Sequence, residues 1–364
     1  MGIWSKAWAQ ACRPISRLTG SQWADKFRVV ASGTSPEAGM WRTSRTPYLQ
    51  EPMDSATDRR TEIVVMCCSS QLGKSEMLLN IMGYYADQEP APQLMLQPTV
   101  EMAEAFSKER IEPMFQNSPG LQGKLEEGKD GRGSAKKSST TIRMKHFSGG
   151  YLALVGANSP AGLASRPIRV LLCDEVDRYG VTKEGDPLIQ RTQNFGNRKI
   201  ILVSTPTIKG ASKIDDWYER SDQRRFFVKC PHCGEEHILQ WANVTWQKDD
   251  EGNALPMTAC MHCPECGCVT RGAYKPDPKL LQSGRWIATN PGSKIKGYHV
   301  NALYSPWVNL SDLVEEFVSV NHNRDKHGLM EFVNLKLGEA WEEINPDADN
   351  WEQLYNRRES YPPN

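Results

Sequence analysis

Short runs without a polar side chain, at 63–68, 170–173 and 200–203, recur along this chain of 364 residues with helical patterns between them. A strand apolar on both faces has to be covered on both, which is the situation of parallel sheets rather than of antiparallel sheets with one wet side. Alternation of such strands with helices predicts an α/β fold, a mostly parallel sheet flanked by helices. Met77, Leu78, Ile81, Met82 and Tyr85 mark a helix after the first run, 100–115 reads as a second helix, and 94–96, 151–155 and 168–173 read as further strands. No apolar run approaches the ~20 residues that a membrane helix needs. The start, Met1-Gly2-Ile3-Trp4-Ser5-Lys6, lacks the apolar stretch of a secretion signal, so the expected location is the cytoplasm in which the chain is made.

Gly73-Lys74-Ser75 sits where the first run turns into a helix, and that context makes a short motif meaningful. The backbone N–H groups of 70–75 would wrap phosphates at the helix N-terminus, Lys74 would neutralise β/γ-phosphate charge, and Ser75 would ligate Mg²⁺. Cys68 stands where the first glycine of Gly-x4-Gly-Lys-Ser is expected. Downstream, Val170-Leu171-Leu172-Cys173 ends in Asp174 and Glu175. Asp174 would hold Mg²⁺ through water, and Glu175 would polarise the attacking water as general base. The run at 200–203 ends in Ser204-Thr205-Pro206-Thr207, which places hydroxyls where a γ-phosphate would be sensed, although small polar residues also end many ordinary strands. These elements predict a P-loop ATPase of the additional-strand, catalytic-glutamate (RecA-like) type using ATP and Mg²⁺.

Six of the ten cysteines fall between Cys230 and Cys268, whereas Cys67, Cys68 and Cys173 lie in apolar runs. Clustering of this kind points to metal in a reducing compartment rather than to disulfides. Cys230-Pro231-His232-Cys233-Gly234 and Cys263-Pro264-Glu265-Cys266-Gly267 are two knuckles of one design, so Cys230, Cys233, Cys263 and Cys266 are expected to hold one structural Zn²⁺ in a zinc ribbon. Cys260 and Cys268 are spare thiols, and His232, His237 and His262 read as surface residues.

Lys plus Arg and Asp plus Glu both number 44, so no bulk field draws the chain onto a polyanion. Nucleic-acid contact has to come from local patches. The best one is 120–145, a glycine- and serine-rich stretch where Lys136, Lys137, Arg143 and Lys145 are candidate phosphate contacts to DNA; a solvated loop is the equal alternative.

Together these motifs resemble the large terminase subunits of tailed phages, specifically the lambda-type (gpA) branch. The resemblance is carried by Pro47-Tyr48-Leu49-Gln50-Glu51-Pro52, the loop Ser69-Ser70-Gln71-Leu72-Gly73-Lys74-Ser75-Glu76, Gln97-Pro98-Thr99, Asn158-Ser159-Pro160-Ala161-Gly162-Leu163, Asp174-Glu175-Val176-Asp177, Ser204-Thr205-Pro206-Thr207 and Leu337-Gly338-Glu339-Ala340-Trp341. It implies an ATP-driven motor that packs double-stranded DNA into a procapsid in the host cytoplasm. It implies a homo-oligomeric ring as well, with a small terminase subunit and the portal as partners and no membrane. The loop residues 69–76 would then bind nucleotide, and Tyr48 and Gln50 would contact adenine. Ser70 stands where many large terminases have an arginine, which leaves Arg166 as the candidate catalytic arginine.

The expected organisation is an N-terminal arm (1–60), an ATPase core (61–225), a zinc-ribbon insertion after the last sheet strand (226–271), a helical lid and linker (272–345) and an exit linker (346–364). The family's C-terminal nuclease is expected to be absent, because about twenty residues after Glu343 cannot build a domain. Two rivals share some of these features. A helicase or remodelling ATPase would need a second RecA-like domain, and a zinc-ribbon binding module would carry a dead nucleotide site.

Overall fold

The first apolar run is strand β1 (Ile63–Cys68), buried at every position. Val64, Met66 and Cys68 face one apolar cluster while Ile63, Val65 and Cys67 face another, the period-two alternation of a strand covered on both sides. The computed structural model describes residues 18–33, 37–125, 141–157, 167–179, 187–323 and 325–343. Helices α1 (Gly20–Phe27) and α2 (Gln50–Thr57) precede β1, and α3 (Lys74–Asp87) follows it. Then come β2 (Pro92–Gln97), α4 (Val100–Phe106), a wide π-helical turn at Ser107–Ile111, and α5 (Glu112–Asn117). Strands β3 (Met144–Phe147), β4 (Gly150–Gly156), β5 (Val170–Asp174) and β6 (Lys199–Ser204) lead to α6 (Lys213–Glu219).

The remaining strands are β7 (Arg224–Lys229), β8 (Glu236–Ile238), β9 (Val244–Lys248), β10 (Ala254–His262), β11 (Val269–Arg271), β12 (Arg285–Ala288) and β13 (Lys296–Val300). Helices α7 (Leu310–His322) and α8 (Lys326–Phe332) and a second π-helical turn at Val333–Leu337 complete the described chain. The central sheet has ten strands in the order β8-β7-β13-β1-β6-β5-β2-β4-β3, with β12 also on β7. All pairings from β7 through to β4 are parallel; β8, β12 and β3 pair antiparallel at the margins. Strand β6 lies between β1 and β5, so the Gly73-Lys74-Ser75 turn and the Asp174-Glu175 pair are separated by one intervening strand at the same edge.

The structure redraws three expected boundaries. Phe226 lies inside β7, a strand of the central sheet, so the cysteine segment leaves the sheet and is not an addition after its last strand. The stretch expected to be a helical lid begins with β12 and β13, and β13 pairs in parallel with β1 itself. These two strands escape a pattern reading because β12 is only four residues long and β13, although four of its five residues are buried, carries Lys296, Gly297 and His299 where apolar residues would mark a core strand. In the arm, α1 is part of the core: Trp23 is fully buried and its Nε1 donates to Asp87 Oδ2 at 2.8 Å.

The Trp23 ring lies against Gly83 of α3, where an added Cβ would come within 2.2 Å of ring carbon Cη2. Gly83→Ala therefore forces the ring out of a closed pocket and is expected to cost about 1–3 kcal/mol. A fall in the urea midpoint checks this; an unchanged midpoint would show that α1 is not held by that contact.

Candidate functional site

The turn after β1 takes its shape from two residues in the left-handed region, Gln71 at φ 57° and Gly73 at φ 86°. Cys68 is still within the strand, at a position that needs no left-handed backbone, so a glycine is not required there. Its thiol is fully buried and pushed up to about 11 by burial, so it acts as a small neutral apolar group. Gly73 then opens α3 by accepting from Met77 N at 2.9 Å, which aims the helix N-terminus into a cleft of about 670 Å³.

Lys74 is buried at the base of this cleft, donating to Thr205 Oγ1 at 2.6 Å and pairing with Glu175 Oε1 at 3.1 Å. Ser75 Oγ donates to Asp174 Oδ2 at 3.0 Å, and Gln97 Nε2 reaches the same oxygen at 3.4 Å. The other carboxylate oxygen, Asp174 Oδ1, is buried and has no hydrogen-bond partner. Successive strand residues point to opposite faces, and the chain escapes this rule by placing Glu175 at φ 56°, ψ 50°. Both carboxylates thus reach α3 residues from one strand end, at a backbone cost of about 1–3 kcal/mol of the kind found at functional sites. Burial, and then the Glu175 charge, raise the Asp174 carboxyl above its ordinary value. An orphaned buried carboxylate oxygen beside a serine hydroxyl is a fitting oxygen-donor set for Mg²⁺.

Ser204 ends β6 and Thr205 follows it beside this cluster, where Ser204 Oγ accepts from Asp177 N at 3.2 Å. Asp177 in turn accepts from Thr207 Oγ1 and from Ile214 N, both at 2.8 Å, tying the β6 end to α6. The opposite wall, which the sequence reading did not foresee, is made of Ser305, Trp307, Val308, Glu331, Asn334 and Leu335. Two cleft arginines were also missed. Arg110, from the π-helical turn, pairs with Glu76 at 2.7 Å; Glu76 also holds buried Arg28 at 2.8 Å. Arg178 stands 3.9 Å from Glu175. The only sequence signal for Arg178 was its closeness to Asp174-Glu175.

Several expected contacts do not form. Tyr48 is fully buried, edge-on to Phe226, and does not line the cleft, so its ring cannot meet a base there. Gln50 is exposed at the start of α2 and also lies outside the cleft lining. Ser69 N donates to Val300 O at 3.2 Å and Ser70 N to Leu335 O at 2.9 Å, so the first amides of the loop are already engaged; the Leu72 side chain is buried in the core. Lys145 is a buried strand residue paired with Glu112, not a loop cation, and Arg143 lies 3.5 Å from Glu104. Lys136, Lys137 and Arg166 lie outside the described residues.

Cys230, Cys233, Cys263 and Cys266 converge with all four Sγ atoms within 4.8 Å of one another. The Cys230–Cys266 and Cys233–Cys263 separations are 3.7 and 3.9 Å, and a tetrahedron of ~2.3 Å metal–thiolate bonds has edges of ~3.8 Å. Cys260 instead contacts Thr245 and His262, and Cys268 is exposed. His237 is not a surface residue: it is buried on β8 with no partner for either ring nitrogen.

Residues 35–286 match the family model described as phage terminase large subunit gpA, ATPase domain, and residues 295–364 match that of the terminase large subunit gpA endonuclease domain. The second match overturns the expectation that the nuclease is absent. That expectation counted only the residues after Glu343, whereas the matched stretch begins just before β13, within the sheet. A terminase large subunit of Enterobacteria phage P21 is 29% identical over 90% of this chain and 53% of its own length. That of Escherichia phage lambda is 25% identical over 94% of this chain and 56% of its own length. The chain thus spans about half the length of the curated relatives it matches. Among solved structures, the large terminase ATPase domain of Thermus phage P74-26 is 12% identical at a TM-score of 0.45, with 80% of this chain and 93% of that chain covered.

A carboxyl raised by burial is disfavoured in its ionised form by the fold, so at neutral pH Asp174 opposes folding, and this opposition is relieved as pH falls through its folded-state value. Asp174→Asn is expected to raise the Tm of the metal-free protein at pH 7, and by less at a pH low enough to protonate the Asp174 carboxyl in the folded protein. Calorimetry that gives a lower Tm contradicts the burial argument.

Proposed function

The chain belongs to the gpA family of phage terminase large subunits, and on that premise we propose that its cleft binds and hydrolyses ATP to drive double-stranded DNA into a viral procapsid. The observation that carries this reading is the meeting of Lys74, Ser75, Asp174, Glu175 and Thr205 at one end of three strands. Ser75 and Asp174 would hold Mg²⁺, which when bound offsets charge on the phosphate oxygens. The α3 N-terminus and the amides of 70–75, with Ser70 N–H first leaving Leu335 O, would cradle the phosphates, and Lys74 would exchange Glu175 for phosphate oxygens. That exchange releases Glu175 to take a proton from the attacking water. Until nucleotide enters, the Lys74–Glu175 pair keeps the base engaged.

In this reading the chain works in the host cytoplasm as one subunit of a ring, with a small terminase subunit, the procapsid portal and DNA as partners. None of the helices among the described residues is long and apolar enough to cross a membrane. The four converging thiolates would hold a structural Zn²⁺ with no open position for substrate.

Glu175→Gln is expected to keep ATP binding and to lose about 10²–10⁴-fold in turnover, while Lys74→Ala weakens both. Parent-level hydrolysis by Glu175→Gln removes the base assignment. Elemental analysis of fresh protein should give one zinc per chain, and Cys233→Ser should lose it together with protease resistance of the cysteine segment. Metal-free native protein would end the zinc reading.

A further inference from the structure

We propose that the segment from Leu335 to Trp341 is a positioning strap for the phosphate loop, and that nucleotide and strap compete for the same loop amide, Ser70 N–H. The proposal rests on the ATP reading of the cleft. Leu335 O accepts from both Ser70 N at 2.9 Å and Ser70 Oγ at 3.1 Å. Carbonyls in the last turn of a helix lack intrahelical donors, and Leu335 lies in the final, π-helical turn, so its oxygen is available to the loop. Ser70 N–H belongs to the turn that faces the cleft, and backbone amides of such turns are the donors that phosphates seek. One N–H serves one strong acceptor at a time. A phosphate oxygen that takes it leaves Leu335 O without its partner.

Beyond Leu335 the strap is pinned at two further points. Gly338, at φ 66°, packs so closely on the loop that an added Cβ would stand 2.6 Å from Ser69 N. Its carbonyl accepts from His299 Nε2 at 2.9 Å, and His299 Nδ1 meets Arg225 Nη1 at 2.6 Å. This requires a neutral imidazole, and burial followed by the Arg225 charge holds His299 down to about 3. Farther along, Trp341 N donates to Thr207 O at 2.8 Å and Trp341 O accepts from Lys209 N at 2.9 Å, just past the β6 end where Thr205 receives Lys74. The strap therefore touches both loops that close on a terminal phosphate. It lies within 295–364, the stretch matched by the endonuclease model, while both loops lie within 35–286. Nucleotide state would thus become legible outside the ATPase stretch, and by linkage whatever shifts the strap shifts nucleotide affinity by the same factor.

The test is amide hydrogen exchange on the whole chain, without nucleotide, with MgADP and with a non-hydrolysable MgATP analogue, with binding of the analogue measured in the same samples. The analogue is expected to speed exchange across 335–341 relative to the nucleotide-free chain, and ADP to do so less. His299→Ala, which loosens the competing strap, should lower the KM for ATP by about fivefold or more, with kcat changed far less, and His299→Gln, whose amide can still donate to Gly338 O, should restore the parent value. If the analogue binds and exchange across 335–341 is the same in all three states, the strap proposal is overturned and the ATP reading stands. If the analogue does not bind, both fall. Equal KM values for His299→Ala and His299→Gln would remove the His299 pin.

Discussion

The ammonium of Lys74, buried between a threonine hydroxyl and a carboxylate, is the point on which the site depends. Burial by itself would lower its pKa, yet the charges around it, Glu175 and Asp174 among them, outweigh that and raise it, so the group stays charged. A buried charge is tolerable only with partners in place, and those partners come from different strand ends. Glu175 follows β5 and Thr205 follows β6, so β6 has to lie between β1 and β5 for both to reach. The same requirement accounts for the left-handed backbone at Glu175, without which Asp174 and Glu175 would face apart.

The second wall of the cleft is held from an unexpected direction. Arg271, on β11 of the cysteine segment, is buried and donates to Leu303 O and Val308 O at 2.7 Å each and to Tyr274 O at 3.1 Å. Burial brings its guanidinium down to about 10. Trp241 packs on Phe332 and Phe317 at ring separations of 5.0 and 5.2 Å, joining the cysteine segment to α7 and α8. The four clustered cysteines thus sit at the far end of a brace whose near end positions Trp307, Val308 and Asn334 at the cleft. A structural metal there would stiffen the wall without touching its chemistry.

Local chemistry was legible in the sequence wherever one short segment carries it. Gly73-Lys74-Ser75, the apolar strand before it, the carboxylates after 170–173 and the two cysteine knuckles are each complete within a few residues, because strand burial, helix N-termini and paired thiolates are set by near neighbours. Tyr48 and Lys145 were misread for the complementary reason. An aromatic ring or a lysine reads the same in a loop as in a core, and only the packing of Phe226 on one and the placing of Glu112 beside the other put them inside.

What the sequence determined by itself was therefore the class of sheet, the glycine turn between β1 and α3 and the pairing of cysteines in two knuckles. What the tertiary structure alone decided was which distant carbonyls and side chains close the cleft: Leu335 on Ser70, Val300 on Ser69, and a wall from 305–335. Backbone acceptors carry no sequence signature, since every residue has one. Their partners are chosen by the register of β13 on β1, which the sheet as a whole sets.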